Sequence, residues 1–154
     1  MSSSNQQSDT LDVAGEIARD CVGVQVRILN RAVSRIYDDV LRPHGVKFSQ
    51  MNVLTVVAIR GPVQPVEVAR ILSMEKSTLS RNLRVLEQKQ WIDTHAGESG
   101  NTVLLRLTPA GRRLLKAAAP AWRDAQTRVT GLLGDRATTA IRGAAKRLRD
   151  SGSA

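Results

Sequence analysis

Lys76-Ser77-Thr78-Leu79-Ser80-Arg81-Asn82-Leu83-Arg84-Val85-Leu86-Glu87-Gln88-Lys89 is the stretch whose reading settles the fold. Leu79, Leu83 and Leu86 stand at i, i+4 and i+7, the spacing of one helix face, and are expected to point into a core. On that expectation Leu83→Ala opens a core cavity. Ser77, Ser80, Arg81 and Arg84 fall on the opposite side. A helix so divided suits the DNA major groove, which is about 12 Å wide and admits one helix with its side chains. The short side chains of Ser77, Thr78 and Ser80 let the backbone approach base edges. Arg81 and Arg84 have the reach for guanine edges or phosphates, and Lys76 and Lys89 suit phosphates. A single amphipathic helix with a solvated Ser/Arg face is common, so the flanking sequence has to decide.

Upstream, Pro65 opens a short helix to Leu72, with Val66, Val68, Ala69 and Leu72 as its apolar positions. Ser73-Met74-Glu75-Lys76 is then a tight connection, which makes the pair a helix-turn-helix candidate. Before it, Ser49 reads as the N-cap of a helix through Met51, Val53, Leu54, Val57 and Ile59, stopped by Gly61-Pro62. Downstream the period changes. Trp91–His95 and Thr102–Leu107 read as two strands joined by the turn-forming run Ala96–Asn101, a hairpin placed as a wing. Thr108 and Pro109 start another helix, marked by Leu114, Leu115, Ala118, Trp122, Ala125 and Val129, with Trp91 and Trp122 as expected core anchors. Pro120 should perturb that helix, residues 131–134 should break it, and Asp135 should cap a last helix through Ile141 and Leu148. At the other end, apolar residues at steps of three and four predict one long helix from Leu11 to Leu41, ended by Pro43 and Gly45. Part of its apolar face is expected to meet another chain. Residues 1–10 are Ser/Gln-rich and read as a disordered tail.

The fold class expected is therefore mainly α: a winged helix-turn-helix of about six helices and a two-stranded β wing. With 154 residues, 42% apolar but only 3% aromatic, the core must be aliphatic. A formal net charge of +9 points to an anionic partner. Cys21 is the one cysteine, so no intrachain disulfide forms, and no Cys/His spacing suits zinc. His44 and His95 read as surface or capping residues. No signal peptide or membrane-length apolar run is present, so a cytoplasmic protein without membrane contact is expected. Phosphate loops, nucleophile elbows and paired catalytic carboxylates are absent from the sequence, which argues against an enzyme, a cofactor or a metal centre.

Several segments together resemble the MarR (multiple antibiotic resistance regulator) family. They are Val46-Lys47-Phe48-Ser49-Gln50 to Leu54, Pro65-Val66-Glu67-Val68-Ala69, Met74 to Arg81 with Leu83-x-x-Leu86-Glu87, and Leu104 to Arg112 with its Leu-Thr-x-x-Gly-Arg helix start. The resemblance spans about Val13 to Arg149. It implies an obligate homodimer whose first and last helices interdigitate with the partner's. Two reading helices would then face successive major grooves, about 34 Å apart, on a pseudo-palindromic operator. The domain division that follows is a tail (1–10), an N-terminal dimerisation helix (11–45), a winged lobe (46–108) and C-terminal dimerisation helices (109–154). The DNA-binding residues expected are Ser49, Lys76, Ser77, Thr78, Ser80, Arg81, Arg84, Asn101, Thr102 and Arg106. The basic last helix, with Arg142, Lys146, Arg147 and Arg149, is expected to steer rather than read.

The wing departs from the family. Many members carry an arginine at its tip, but here the tip is Glu98-Ser99-Gly100-Asn101. Wing contacts then fall to Asn101, or to Thr102 and Arg106 nearer the strand. The resemblance also implies a ligand-responsive repressor, released by a phenolic or aromatic effector in a cleft between dimerisation helices and lobe. Two alternatives stand beside it. One is a thiol-based peroxide sensor using Cys21 with Tyr37, weighed against a Cys21 that is a small apolar packing residue. The other is an architectural module that binds DNA without sequence choice.

Overall fold

The computed structural model describes residues 2–97 and 102–151. They form two compact units, Met1–Arg35 and Ile36–Ala154. In the first unit, helix α1 (Ser2–Asp20) is followed at once by α2 (Val22–Leu41), whose last residues belong to the second unit. The long helix expected from Leu11 is thus two segments meeting at Cys21, where the ladder still holds: Cys21 N–H donates to Ile17 O at 3.1 Å and Gln25 N–H to Cys21 O at 3.2 Å. Helical backbone also reaches back through the stretch read as a tail, because extending an existing helix needs no new nucleus.

In the second unit, α2 ends by burying Tyr37 and Leu41, and a short 3-10 turn (Arg42–His44) leads to Gly45 at φ 66°. Helix α3 spans Phe48–Arg60. Its N-cap is Lys47 and not Ser49, which sits inside the first turn. Two other side chains satisfy the free amides: Gln50 Oε1 accepts from Lys47 N–H at 3.0 Å, and Asp38 Oδ1 accepts from Phe48 N–H at 2.7 Å. Tyr37 stacks on Phe48, ring centroids 4.2 Å apart, and its hydroxyl donates to Gln126 Oε1 at 2.6 Å. Burial raises the Tyr37 pKa, against the opposing charge of Arg142. Helix α3 buries Met51, Val53, Leu54 and Val57, but Ile59 is 76% exposed, because it lies off that stripe.

Helices α4 (Pro65–Leu72) and α5 (Lys76–Gln88) make the helix-turn-helix. Only Val68 of α4 is buried, and Val66 stays exposed. Ser73 takes a left-handed conformation at φ 48°, and Met74 N–H closes back on Ala69 O at 2.9 Å, the geometry that stops a helix sharply. A side chain is strained in that region. Ser73→Gly should therefore stabilise the protein by about 0.5–1 kcal/mol, read as a shifted urea midpoint at unchanged slope.

Strands β1 (Ile92–Ala96) and β2 (Val103–Leu107) pair antiparallel, with Ile92 opposite Leu107 and Ala96 opposite Val103. Val63 extends this hairpin: it exchanges two backbone bonds with Leu105, at 3.1 and 2.8 Å, so the wing is anchored to the α3–α4 connection. Helix α6 runs Pro109–Ser151. Thr108 caps it as expected, its Oγ1 accepting from Gly111 N–H at 3.0 Å. Pro120 is passed without a non-helical residue, because it lies on an exposed side where the carbonyl it frees can be hydrated. The break comes at Gly134 (φ 75°, ψ 161°). Ala118, Ala125 and Val129 supply the buried face of α6, while Trp122, expected as a core anchor, is exposed and Trp91 is half-buried.

Candidate nucleic-acid interface

Helix α5 is held from behind by Leu79 and Leu86, 3% and 0% exposed. The third inward position is Asn82, 8% exposed, whereas Leu83 is only half-buried. This corrects the expected stripe: residues 82 and 83 both lie between the two anchoring leucines, and packing chose the polar one. Leu86→Ala should accordingly cost the larger cavity penalty, about 2–5 kcal/mol. Leu83→Ala should cost about 1–2 kcal/mol because less apolar area leaves the interior, a ranking that urea titration of the two variants checks.

On the outer side Lys76, Ser77, Ser80, Arg81 and Arg84 are exposed and Thr78 is half-buried. Arg81 lies back along the first turn, its Nε–H donating to Ser77 O at 3.2 Å and Nη2 to Thr78 Oγ1 at 3.4 Å. Both bonds stay within one helix, so the guanidinium remains on the outward face. Lys76, Ser80, Leu83 and Arg84 line one groove of about 730 Å³ together with Val66 of α4 and Thr102 and Val103 of the wing. The reading helix and the root of the wing thus face one space.

Other expected residues fall elsewhere. Ser49 is half-buried, its hydroxyl 3.4 Å from Asn82 Oδ1. Thr102 is half-buried, and its carbonyl accepts from Gly97 N–H at 2.6 Å, closing the base of the hairpin loop. Arg106, directly opposite Asp93 in the hairpin, lines a separate shallow cavity of about 460 Å³ with His95 and Arg112, away from the α5 groove. Asn101 lies outside the described residues. Lys89, expected to suit phosphates, is engaged by the protein: Nζ donates to Gly45 O at 2.7 Å and sits 4.7 Å from the Trp91 ring centre.

Cys21 is half-exposed, and the Tyr37 hydroxyl considered as a thiolate partner donates to Gln126. His95 Nε2 lies 3.0 Å from Asp93 Oδ1. Among the described residues no three His, Cys, Asp or Glu side chains gather as a metal site, and no helix is long and apolar enough to cross a membrane.

Asn82 and Val63 were not singled out from the sequence. An asparagine three residues from one leucine of a stripe and four from the next was the signal for the first; nothing local marks the second.

The sequence profile of the MarR family matches residues 44–100. The multiple antibiotic resistance protein MarR of Salmonella typhimurium is 30% identical over 103 residues, covering 66% of this chain and 70% of that protein. A crystal structure of the M. tuberculosis transcriptional regulator MosR in complex with DNA superposes with a TM-score of 0.75 at 29% identity, covering 87% of this chain and 97% of that one. Mutant MarR from E. coli complexed with operator DNA gives a TM-score of 0.76 at 21% identity, over 86% of this chain and 96% of that one, a likeness of fold.

Proposed function

Since the chain belongs to the MarR family of winged-helix, DNA-binding transcription regulators, we propose that it binds a pseudo-palindromic operator as a homodimer and acts as a ligand-responsive repressor. The observation that carries this reading is the division of α5: Leu79 and Leu86 inward, Ser77, Ser80, Arg81 and Arg84 outward, with the wing rooted at the edge of the same groove. The net charge of +9 supports a polyanionic partner and fast encounter with it.

Large apolar side chains left bare support the homodimer. Leu11, Ile17, Val22 and Ile28 are exposed in α1 and α2, and Leu132 and Leu148 in α6. Apolar surface of that extent marks an interface more often than a solvated face. An effector site on the lobe, in place of the expected cleft beside the dimerisation helices, is supported by the 730 Å³ groove, which has apolar walls from Val66, Leu83 and Val103 and cations at Lys76 and Arg84. A small aromatic acid there would compete with DNA for Arg84. A cytoplasmic location and the absence of catalysis complete the reading.

Selection of bound sequences from random duplex DNA tests it. The expected result is an inverted repeat with half-sites one helical turn apart, about 10 base pairs centre to centre. A salt titration on selected and random duplexes follows. Equal affinity for both at every salt concentration would replace this reading by the architectural one.

A further inference from the structure

We propose that Asn82 is the positioning residue of the reading helix: its buried amide selects the rotation of α5 that turns Arg81 and Arg84 outward, and it does so by binding Ser49 of α3 and Met74 of the interhelical turn. The inference rests on α5 being the reading helix.

Successive residues of a helix lie about 100° apart around its axis. Leu79 and Leu86 anchor α5, and either residue 82 or residue 83 can complete the inward face, since each is three residues from one leucine and four from the other. Apolar burial alone would choose Leu83. The structure instead buries Asn82 at 8% exposure and leaves Leu83 half in the groove. A buried amide is unfavourable unless its polar atoms find partners. In this rotation they do: Asn82 Oδ1 lies 3.4 Å from Ser49 Oγ, and Asn82 Nδ2 lies 3.7 Å from Met74 Sδ. Turning α5 to bring Leu83 inward would carry the amide away from both and swing the outer face with it. The two contacts come from different elements, α3 and the interhelical turn, so together they fix a rotation that a leucine could not specify. A polar group that costs stability while singling out one arrangement is the role best attested for buried polar residues.

The test measures folding and base discrimination separately. Asn82→Leu, with the amide replaced by an apolar side chain, should fold with a melting temperature at or above that of the wild type. Its affinity for the selected operator should fall at least about tenfold, while affinity for random duplex stays within about twofold, because phosphate contacts do not require the same rotation. Asn82→Ala removes the amide without adding volume and decides the matter if the leucine does not fit. Ser49→Ala should lower the operator-to-random ratio on the wild-type background and leave it unchanged on Asn82→Leu. A folded Asn82→Ala protein that keeps the wild-type ratio overturns the proposal, as does a fall of equal size on both duplexes. A wild type that fails to distinguish operator from random DNA sinks the reading-helix assignment instead.

Discussion

Alanine at Gly111 is expected to destabilise the winged lobe by about 3 kcal/mol, and valine there to prevent its folding. A Cβ built on Gly111 would lie 2.1 Å from the Trp91 carbonyl oxygen and 2.7 Å from Leu107 Cδ1. The first of these neighbours is backbone, held in place because Trp91 O also accepts from Thr108 N–H at 3.1 Å. It cannot swing aside as a flexible side chain would. Relief requires the first turn of α6 to move off the end of β1, and that movement strips the Thr108 cap and the close packing at Ile92 and Leu105, 2% and 0% exposed. Glycine here is a matter of close approach and not of backbone freedom, since the residue lies within a helix. Chemical unfolding of Gly111→Ala beside Gly134→Ala checks the distinction. Gly134 has open space around its Cβ position but a φ of 75°, so its alanine variant should be strained by about 1–2 kcal/mol without a clash.

Removing both guanidiniums, Arg81→Ala with Arg84→Ala, is expected to lower operator affinity by about a hundredfold or more while leaving stability within about 0.5 kcal/mol. Both side chains are exposed, and the bonds of Arg81 stay within its own first turn, so little of the folded state depends on them. If one of the pair reads guanine and the other neutralises phosphate, the single variants will differ in kind. The first relaxes sequence preference at one position of the half-site. The second weakens all duplexes alike and flattens the salt dependence. Competition binding at several salt concentrations separates them. Wild-type affinity in a folded double variant would show that α5 is not the element that enters the groove.

Local pattern carried most of the architecture. The order of helices, the short turn at Ser73–Glu75, the hairpin after Gln90 and the Thr108 cap all follow from spacing and turn chemistry. These are decided by residues a few positions apart, so the chain reports them directly. Errors gathered where a position had two acceptable answers. Ser49 is a good capping residue, yet Asp38 and Gln50 already satisfy the amides at the start of α3. Ile59 and Val66 are apolar, yet they stay 76% and 70% exposed. Lys89 is a cation near the end of the reading helix, yet the Gly45 carbonyl and the Trp91 ring take it.

The amino-acid order alone was enough for the winged helix-turn-helix class and the polar outer face of α5, because helical periodicity and turn residues act over short distances. Which of residues 82 and 83 turned inward, that Val63 would lengthen the wing, and that Arg106 would part company with Arg84 were decided only in three dimensions. Those outcomes depend on atoms brought from segments distant in the chain, such as Ser49 against Asn82 and Leu105 against Val63, and no local rule ranks such contacts before the core has closed.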